Sequence, residues 1–150
     1  MHIKSTKTIK IIAVTELALA VGIISFWITF FSTDLVNISD PHLKEIYLAF
    51  ERAFLIPDMY LSLILIMGGI GLLRKMSYGF LFSLLGGASL IFLALLDISF
   101  NVQQGIYLIG IGEAVLNVFI NLLCLGAGII LIIAIWKNRE NWRYFNSSVR

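Results

Sequence analysis

Charged residues are scarce in this chain. Only 13% of its 150 residues are Asp, Glu, Lys or Arg, whereas 59% are hydrophobic. A typical soluble domain is about a quarter charged and about half apolar. A domain of this length has too little interior to hide so much apolar surface from water. The composition therefore excludes an ordinary soluble domain and predicts an integral membrane protein in contact with the lipid bilayer.

Cysteine and histidine are nearly missing. Cys124 is the one cysteine, which excludes an internal disulfide and a Cys-x-x-Cys redox pair. A small buried apolar residue is its expected role. His2 and His42 lie outside the apolar runs, so a haem or a His-based zinc site inside the bilayer is not expected. We expect no metal and no cofactor.

Motifs that carry enzyme chemistry are missing as well. The sequence has no phosphate-binding loop, no G-x-S-x-G and no H-E-x-x-H. Nothing in it nominates a nucleophile, so no catalytic residues are proposed. An enzyme that uses paired carboxylates for acid–base work on a lipid is the weakest functional alternative.

The chain does have four apolar runs, each long enough to cross a hydrocarbon core of about 30 Å. They predict spans at residues 11–31, 53–73, 79–100 and 110–136, followed by a basic tail, 137–150. Ala18-Leu19-Ala20 resembles a signal-peptide cleavage site. Glu16 interrupts that apolar stretch and the run continues past Ala20, so a retained first span is expected. The predicted fold is all-α, a single domain formed by a bundle of four transmembrane helices.

A helix start signal precedes the second span. Asp40 and Pro41 have the residue types of an N-cap and of a first helical position. They predict a short amphipathic helix before the span. Pro57, near the start of the span, is expected to kink the helix or to mark the join between the two helical segments.

Lys and Arg are distributed unevenly along the chain. The N-terminal segment, the turn after the second span and the tail together hold nine of the eleven; the other two are Lys44 and Arg52. The positive-inside rule then predicts cytoplasmic termini, and we expect the plasma (inner) membrane of a prokaryote. Anionic headgroups explain the basic tail, so no nucleic-acid partner is expected. Trp27, Tyr60 and Tyr107 are predicted to form an outer aromatic belt.

The fourth span carries a polar stripe. Glu113, Asn117 and Asn121 follow one another at intervals of four residues, so they share one face of a helix. Lipid offers no hydrogen-bond partner to these side chains. The stripe must therefore face other helices or a wet cavity.

Further polar residues are predicted at the outer ends of spans two and three. Asp58 is expected near the N-terminus of its helix, where the macrodipole favours an anion. Asp97 is expected near a helix C-terminus, and so to be protonated or paired with Arg52 or a bound cation. Headgroup water alone would also satisfy acids at the ends of spans. In an antiparallel bundle these groups converge on an outward-facing pocket, whose candidate ligand-binding residues are Arg52, Asp58, Asp97, Asn101, Glu113, Asn117 and Asn121.

Glu16 is a possible second site, near the cytoplasmic end of span one. Four spans with a Glu in the first resemble the small multidrug resistance transporters. The resemblance is confined to this topology and to Thr15-Glu16-Leu17, and the Trp and Gly markers expected of that family are absent. It implies at most an analogy of architecture.

Small residues recur at intervals of four along span three. Gly79, Ser83 and Gly87 form a face that lets helix backbones approach closely, and a homo-oligomer through this face is one expectation. Two functional hypotheses follow. The protein either binds or transports a cation, an amine or a lipid headgroup in the acidic pocket, or it is a non-catalytic membrane subunit whose polar stripe is satisfied by partner helices.

Overall fold

The computed structural model describes residues 6–33, 36 and 38–139, except for the side chains of Thr6 and Glu113. The helices are α1 (Thr6–Ser32), α2 (Pro41–Leu73), α3 (Ser77–Gln103) and α4 (Ile111–Lys137). All four are long and apolar enough to cross a membrane. The prediction of an all-α bundle of four membrane-spanning helices is confirmed. Most of the basic tail lies outside the described residues.

The helices pack in chain order: α1 on α2, α2 on α3, and α3 on α4. One apolar core draws on all four helices, with Ala13 from α1, Leu65 from α2, Leu90 from α3 and Leu131 from α4. Large apolar side chains also cover the outside of the bundle, among them Phe119, which is 62% exposed. This outward apolar surface is the one that lipid solvates.

Helix α2 is longer than the sequence predicts. Asp40 is its N-cap, accepting hydrogen bonds from the backbone N–H groups of His42 at 2.9 Å and Leu43 at 3.2 Å. The helix then continues through Pro57 without a break. The predicted amphipathic helix and the second span are therefore one element. Pro57 is exposed, and proline is tolerated within a membrane helix where its surroundings satisfy the freed backbone group.

Glycine pairs bring neighbouring helices into close contact. A Cβ atom added to Gly71 would lie 2.6 Å from the Gly79 Cα, and one added to Gly128 would lie 2.6 Å from the Gly87 carbonyl oxygen. Any side chain at these positions would push the helices apart. Gly79, Ser83 and Gly87 are buried inside the bundle, against α2 and α4. The face predicted to support a homo-oligomer is therefore occupied by the protein's own helices.

An apolar cap closes the end of the bundle that carries the α1–α2 and α3–α4 connections. It consists of Val36, Ile38, Tyr47 and Ile106, all buried. Gly105 adopts a left-handed backbone, with φ of 67°, and turns the chain into a short 3-10 helix that buries Ile106 completely. We call this end of the bundle the cap end. The α2–α3 turn lies at the opposite end.

Candidate functional site

A hydrogen bond between α1 and α2 places the first acid. The Trp27 indole N–H donates to Asp58 Oδ2 at 2.9 Å. Trp27 is only 3% exposed, so the prediction that it belongs to a lipid-facing aromatic belt is wrong. An indole N–H inside an apolar bundle needs an acceptor, and the carboxylate of Asp58 provides it.

Asp58 lies well inside α2. The helix begins at Pro41, more than four turns earlier, so the predicted stabilisation of Asp58 by a helix N-terminus is wrong. The macrodipole acts only within the first turn or so of a helix. The Trp27 hydrogen bond is the contact that supports the carboxylate instead.

Asp97 of α3 joins two of the predicted amides. The side chains of Asn101, on the same helix, and Asn121, on α4, lie beside its carboxylate. Asn121 also donates to the Tyr107 hydroxyl at 3.0 Å. Asn101 is completely buried and Asn121 is 3% exposed. The polar stripe of α4 therefore finds partners within the chain, on α3 and on the α3–α4 connection.

Asn117 receives two donors. Its side-chain oxygen accepts from Asn101 Nδ2 and from the Tyr47 hydroxyl, both at 3.4 Å. Both distances are at the long end of the hydrogen-bond range. The Tyr47 hydroxyl is also hydrogen-bonded to the carboxylate of Glu51, one turn along α2.

These groups form what we call the acid–amide cluster: Glu51, Asp58, Asp97, Asn101, Asn117 and Asn121. The charges of Glu51, Asp58 and Asp97 act on one another, so three carboxylates share one region between α2, α3 and α4. The thiol of Cys124, which is half-buried, borders the same region, because the charges of Asp58 and Asp97 act on it too. No described group of three His, Cys, Asp or Glu side chains is arranged to hold a metal ion.

One polar atom of the cluster is without a partner. Asn101 Oδ1 is buried and accepts no hydrogen bond from any residue that the structure describes. An unsatisfied buried oxygen costs about 1–3 kcal/mol. The cluster therefore has a hydrogen-bond acceptor left over and lacks a donor for it.

The remaining predicted residues are placed differently. Arg52 is exposed. Glu113 lies in the first turn of α4, but its side chain is outside the described part of the chain. Asp97, Asn101, Asn117 and Asn121 lie together, and Asp58, bonded to Trp27, lies in the same region.

The sequence reading did not include Glu51 or Tyr47 in the site. The predicted second span begins at residue 53, so both residues fell outside it. On one unbroken helix, Tyr47, Glu51 and Asp58 follow at i, i+4 and i+11, which places them on one face. Predicting α2 as one unbroken helix would therefore have identified Tyr47 and Glu51 as part of the site.

Glu16 lies in a separate buried contact among α1, α2 and α3. A Cβ atom added to Gly68 would lie 3.0 Å from Glu16 Oε2 and 3.1 Å from Ser83 Oγ, so glycine makes room for the carboxyl group. Ser83 donates its only proton to the Gly79 carbonyl oxygen at 2.8 Å. It therefore offers Glu16 an acceptor rather than a donor. Both carboxylate oxygens are buried without a hydrogen-bond partner among the described residues.

A cavity of about 510 Å³ lies between α2 and α3, on the outside of the bundle. Its walls are almost entirely apolar, and they include Phe50, Phe54 and Tyr60 of α2 and Ala88, Phe92 and Leu96 of α3. We call it the α2–α3 groove. It is distinct from the acid–amide cluster, whose members do not line it.

Comparison of the chain with protein-family models, with curated proteins and with solved structures gives no match.

Proposed function

We propose that the protein binds an organic ammonium ion in the acid–amide cluster. The observation that carries the proposal is the buried Asn101 Oδ1, which has no partner among the described residues and belongs to a fully buried side chain beside Asp97. Buried carboxylates are costly unless a cation or hydrogen-bond donors accompany them. An ammonium group brings both, a positive charge and several N–H donors.

The spacing of the cluster favours an ammonium ion over a metal ion. Ca²⁺ needs its oxygen ligands within about 2.3–2.6 Å, and Mg²⁺ needs them closer. The described acids do not gather tightly enough for this. An ammonium N–H reaches a carboxylate oxygen at about 2.7–2.9 Å and each N–H points in a different direction. An ammonium ion can therefore bind one carboxylate and donate its other N–H groups to neutral acceptors such as Asn101 Oδ1, without three acids around one point.

The acids also have no described basic partner that would compete with a ligand. The charges that act on Glu51 are those of Asp97 and Asp58, and the charge that acts on Asp58 is that of Asp97. All are of the same sign. A ligand cation therefore replaces repulsion by attraction within the cluster.

The orientation in the membrane is part of the proposal. We infer that the cap end faces the outside, because six of the eight Lys and Arg residues that the structure describes lie at the other end. On this basis the ammonium site is in the outer half of the bilayer, and both termini are cytoplasmic.

The alternative is a membrane subunit whose polar stripe pairs with a partner helix. The hydrogen bonds of Asn117 and Asn121 weigh against it, because both side chains are buried and bonded within this chain. The substitution Asn117→Leu distinguishes a ligand site from a membrane subunit. It should remove ammonium binding if the cluster is a ligand site, and it should weaken association in size-exclusion chromatography if the stripe serves assembly.

Thermal unfolding of the purified protein in detergent tests the ammonium site. Propylammonium chloride is compared with sodium chloride at equal ionic strength. Ligand at ten times its dissociation constant adds about 1.4 kcal/mol to stability, so the midpoint should rise with propylammonium alone. Asp97→Asn should abolish the rise.

Glu45→Gln is the matched control. Glu45 is an exposed acid on the same helix as Glu51 and Asp58, outside the cluster, so the ammonium effect should survive this change. The proposal is wrong if the midpoint of thermal unfolding depends on ionic strength alone. It is also wrong if Asp97→Asn leaves the rise with propylammonium intact.

A further inference from the structure

We propose that Glu16 and Ser83 form a proton-binding site, separate from the acid–amide cluster, and that the bound proton holds α1 against α2 and α3. The site lies where these three helices meet, beside Gly68 of α2 and in the second turn of α3. It does not depend on the proposed ammonium site.

Hydrogen-bond acceptors meet at this site without a donor between them. The Ser83 hydroxyl lies beside the Glu16 carboxyl group, and it donates its own proton to the Gly79 carbonyl oxygen at 2.8 Å. It therefore faces Glu16 with lone pairs, and an ionised carboxylate offers only lone pairs in return. A protonated carboxyl group supplies the missing O–H, which can donate to Ser83 Oγ.

Burial leaves the Glu16 carboxyl group no other way to be satisfied. The side chain is 0% exposed, and neither of its oxygens has a hydrogen-bond partner among the described residues. An isolated carboxylate in an apolar interior is so costly that such a group becomes neutral instead. With a proton bound, Glu16 carries no charge and keeps its place among the helices.

No described cationic side chain takes the place of the proton. The described basic side chains at this end of the bundle are all exposed: Lys7, Lys10, Arg74, Lys75, Lys137 and Arg139. Tyr78, a titratable side chain of α3, packs at Gly71, about one turn beyond Gly68 along α2. The side chains that α2, α3 and α4 contribute to the surrounding core are apolar, among them Leu65, Phe80 and Leu131.

The space at the site favours a proton over a metal ion. A Cβ atom added to Gly68 would lie 3.0 Å from Glu16 Oε2 and 3.1 Å from Ser83 Oγ, so these two side chains already fill the room that the glycine leaves. Ca²⁺ takes about six to eight oxygen ligands, and Mg²⁺ requires near-ideal octahedral geometry. One carboxyl group and one hydroxyl group do not provide such a set.

Release of the proton is tied to the packing of α1. A Cβ atom added to Gly69 would lie 2.9 Å from the Ala13 carbonyl oxygen, so the backbones of α1 and α2 are in close contact beside Glu16. An ionised Glu16 needs water, and water reaches it only if α1 moves away from α2 and α3. The proton is thus a ligand of the closed bundle, and a rise in pH favours separation of α1.

Infrared spectroscopy of the purified protein in detergent reads the proton directly, because the C=O stretch of a protonated carboxyl group is distinct from the bands of a carboxylate. Isotope-labelled glutamate separates glutamates from aspartates. A background of Glu51→Gln and Glu113→Gln leaves Glu16 and the exposed Glu45 as the glutamates of the four helices. At neutral pH we expect a protonated glutamate band that Glu16→Gln removes.

Glu45→Gln is the matched control, since it makes the same chemical change at an exposed acid, and it should leave the band in place. Absence of the band at neutral pH overturns the proton site, and so does a band that survives Glu16→Gln. If Glu16→Gln does not fold, the presence or absence of the band in the background protein still decides, because an exposed Glu45 is ionised at neutral pH.

Hydrogen–deuterium exchange then reads the packing of α1. As the pH is raised until the band disappears, the amides of Ala13–Ala20 should come to exchange about tenfold faster in the protein with Glu16 than in Glu16→Gln, a difference of about 1.4 kcal/mol. Comparison of the two proteins at one pH cancels the intrinsic effect of pH on exchange. The segment around Phe119 of α4 should exchange equally in both. Equal exchange of Ala13–Ala20 after the band has gone overturns the inference that the proton holds α1.

Discussion

The indole N–H of Trp27 lies 2.9 Å from a carboxylate oxygen of Asp58, so the first two helices share a hydrogen bond inside the bundle. Trp27 also contacts the rings of Phe30 and Phe31, with centroids 5.2 and 5.7 Å away. The residue thus joins an aromatic cluster on α1 to an acid on α2. It fixes the position of that acid relative to the rest of the site.

Replacing Trp27 by phenylalanine should destabilise the protein by about 1–3 kcal/mol. Phenylalanine retains much of the ring packing but removes the donor, so Asp58 loses its observed hydrogen bond. Chemical unfolding in detergent measures the change. Trp136→Phe is the control, because Trp136 is 62% exposed and should cost far less. Equal losses for the two variants would mean that the hydrogen bond does not contribute.

Glu16→Gln should change the free energy of unfolding by less than about 1 kcal/mol. Both Glu16 carboxylate oxygens lack a partner in the described structure, so the neutral amide gives up no observed hydrogen bond. Asp97→Asn is the same chemical change at a carboxylate that lies beside two amides, and it should cost more, about 1–3 kcal/mol. The measurement is chemical unfolding of both variants under one set of conditions. A larger loss for Glu16→Gln than for Asp97→Asn would show that the Glu16 charge is paired in the folded protein.

Gly128→Ala should destabilise the bundle by about 1–3 kcal/mol, because the new Cβ would lie 2.6 Å from the Gly87 carbonyl oxygen. Gly126→Ala, two residues earlier, is the control. Nothing lies within 4 Å of a Cβ there, so alanine should be neutral or slightly stabilising. Thermal unfolding of the two variants makes the comparison. A harmless Gly128→Ala would mean that α3 and α4 are further apart than the structure shows.

Single cysteines should report the orientation of the chain. On a Cys124→Ser background, Ser77→Cys in the α2–α3 turn should react with membrane-impermeant maleimide only after the cells are opened. Ser39→Cys, before α2, should react on intact cells, because positive charge is concentrated at the other end of the bundle. Ser147, in the tail, lies outside the described residues but should behave like Ser77. The reverse pattern would place the cap end in the cytoplasm.

Apolar runs of sufficient length made the four spans predictable, since the bilayer sets the length of a helix that crosses it. The intervals between Asn117 and Asn121, and between Asp97 and Asn101, also placed those pairs on common helix faces. Hydrogen bonding then brought the pairs together, because a buried amide in a bundle has few other partners. The convergence of these residues was therefore within reach of the sequence.

The sequence could not predict that Trp27 is buried or that Glu51 belongs to the site. Apart from Glu16, α1 has large apolar side chains around most of its circumference, so its sequence gives little sign of which side of Trp27 meets lipid and which meets α2. Glu51 was separated from the site by the expectation that Pro57 would divide the helix. In a membrane, the cost of unsatisfied backbone groups favours continuing the helix past proline. Local sequence therefore underestimated the length of α2, and with it the size of the site.

The cap has a consequence for biosynthesis. Val36 and Ile38 belong to the α1–α2 connection, whereas Ile106 belongs to the α3–α4 connection, which leaves the ribosome much later. The α1–α2 hairpin must therefore remain in the membrane without the hydrogen bond between Tyr47 and Asn117 until the α3–α4 hairpin is inserted. An arrested chain that ends before α4 would present an incomplete, acid-bearing hairpin to the quality-control machinery of the membrane.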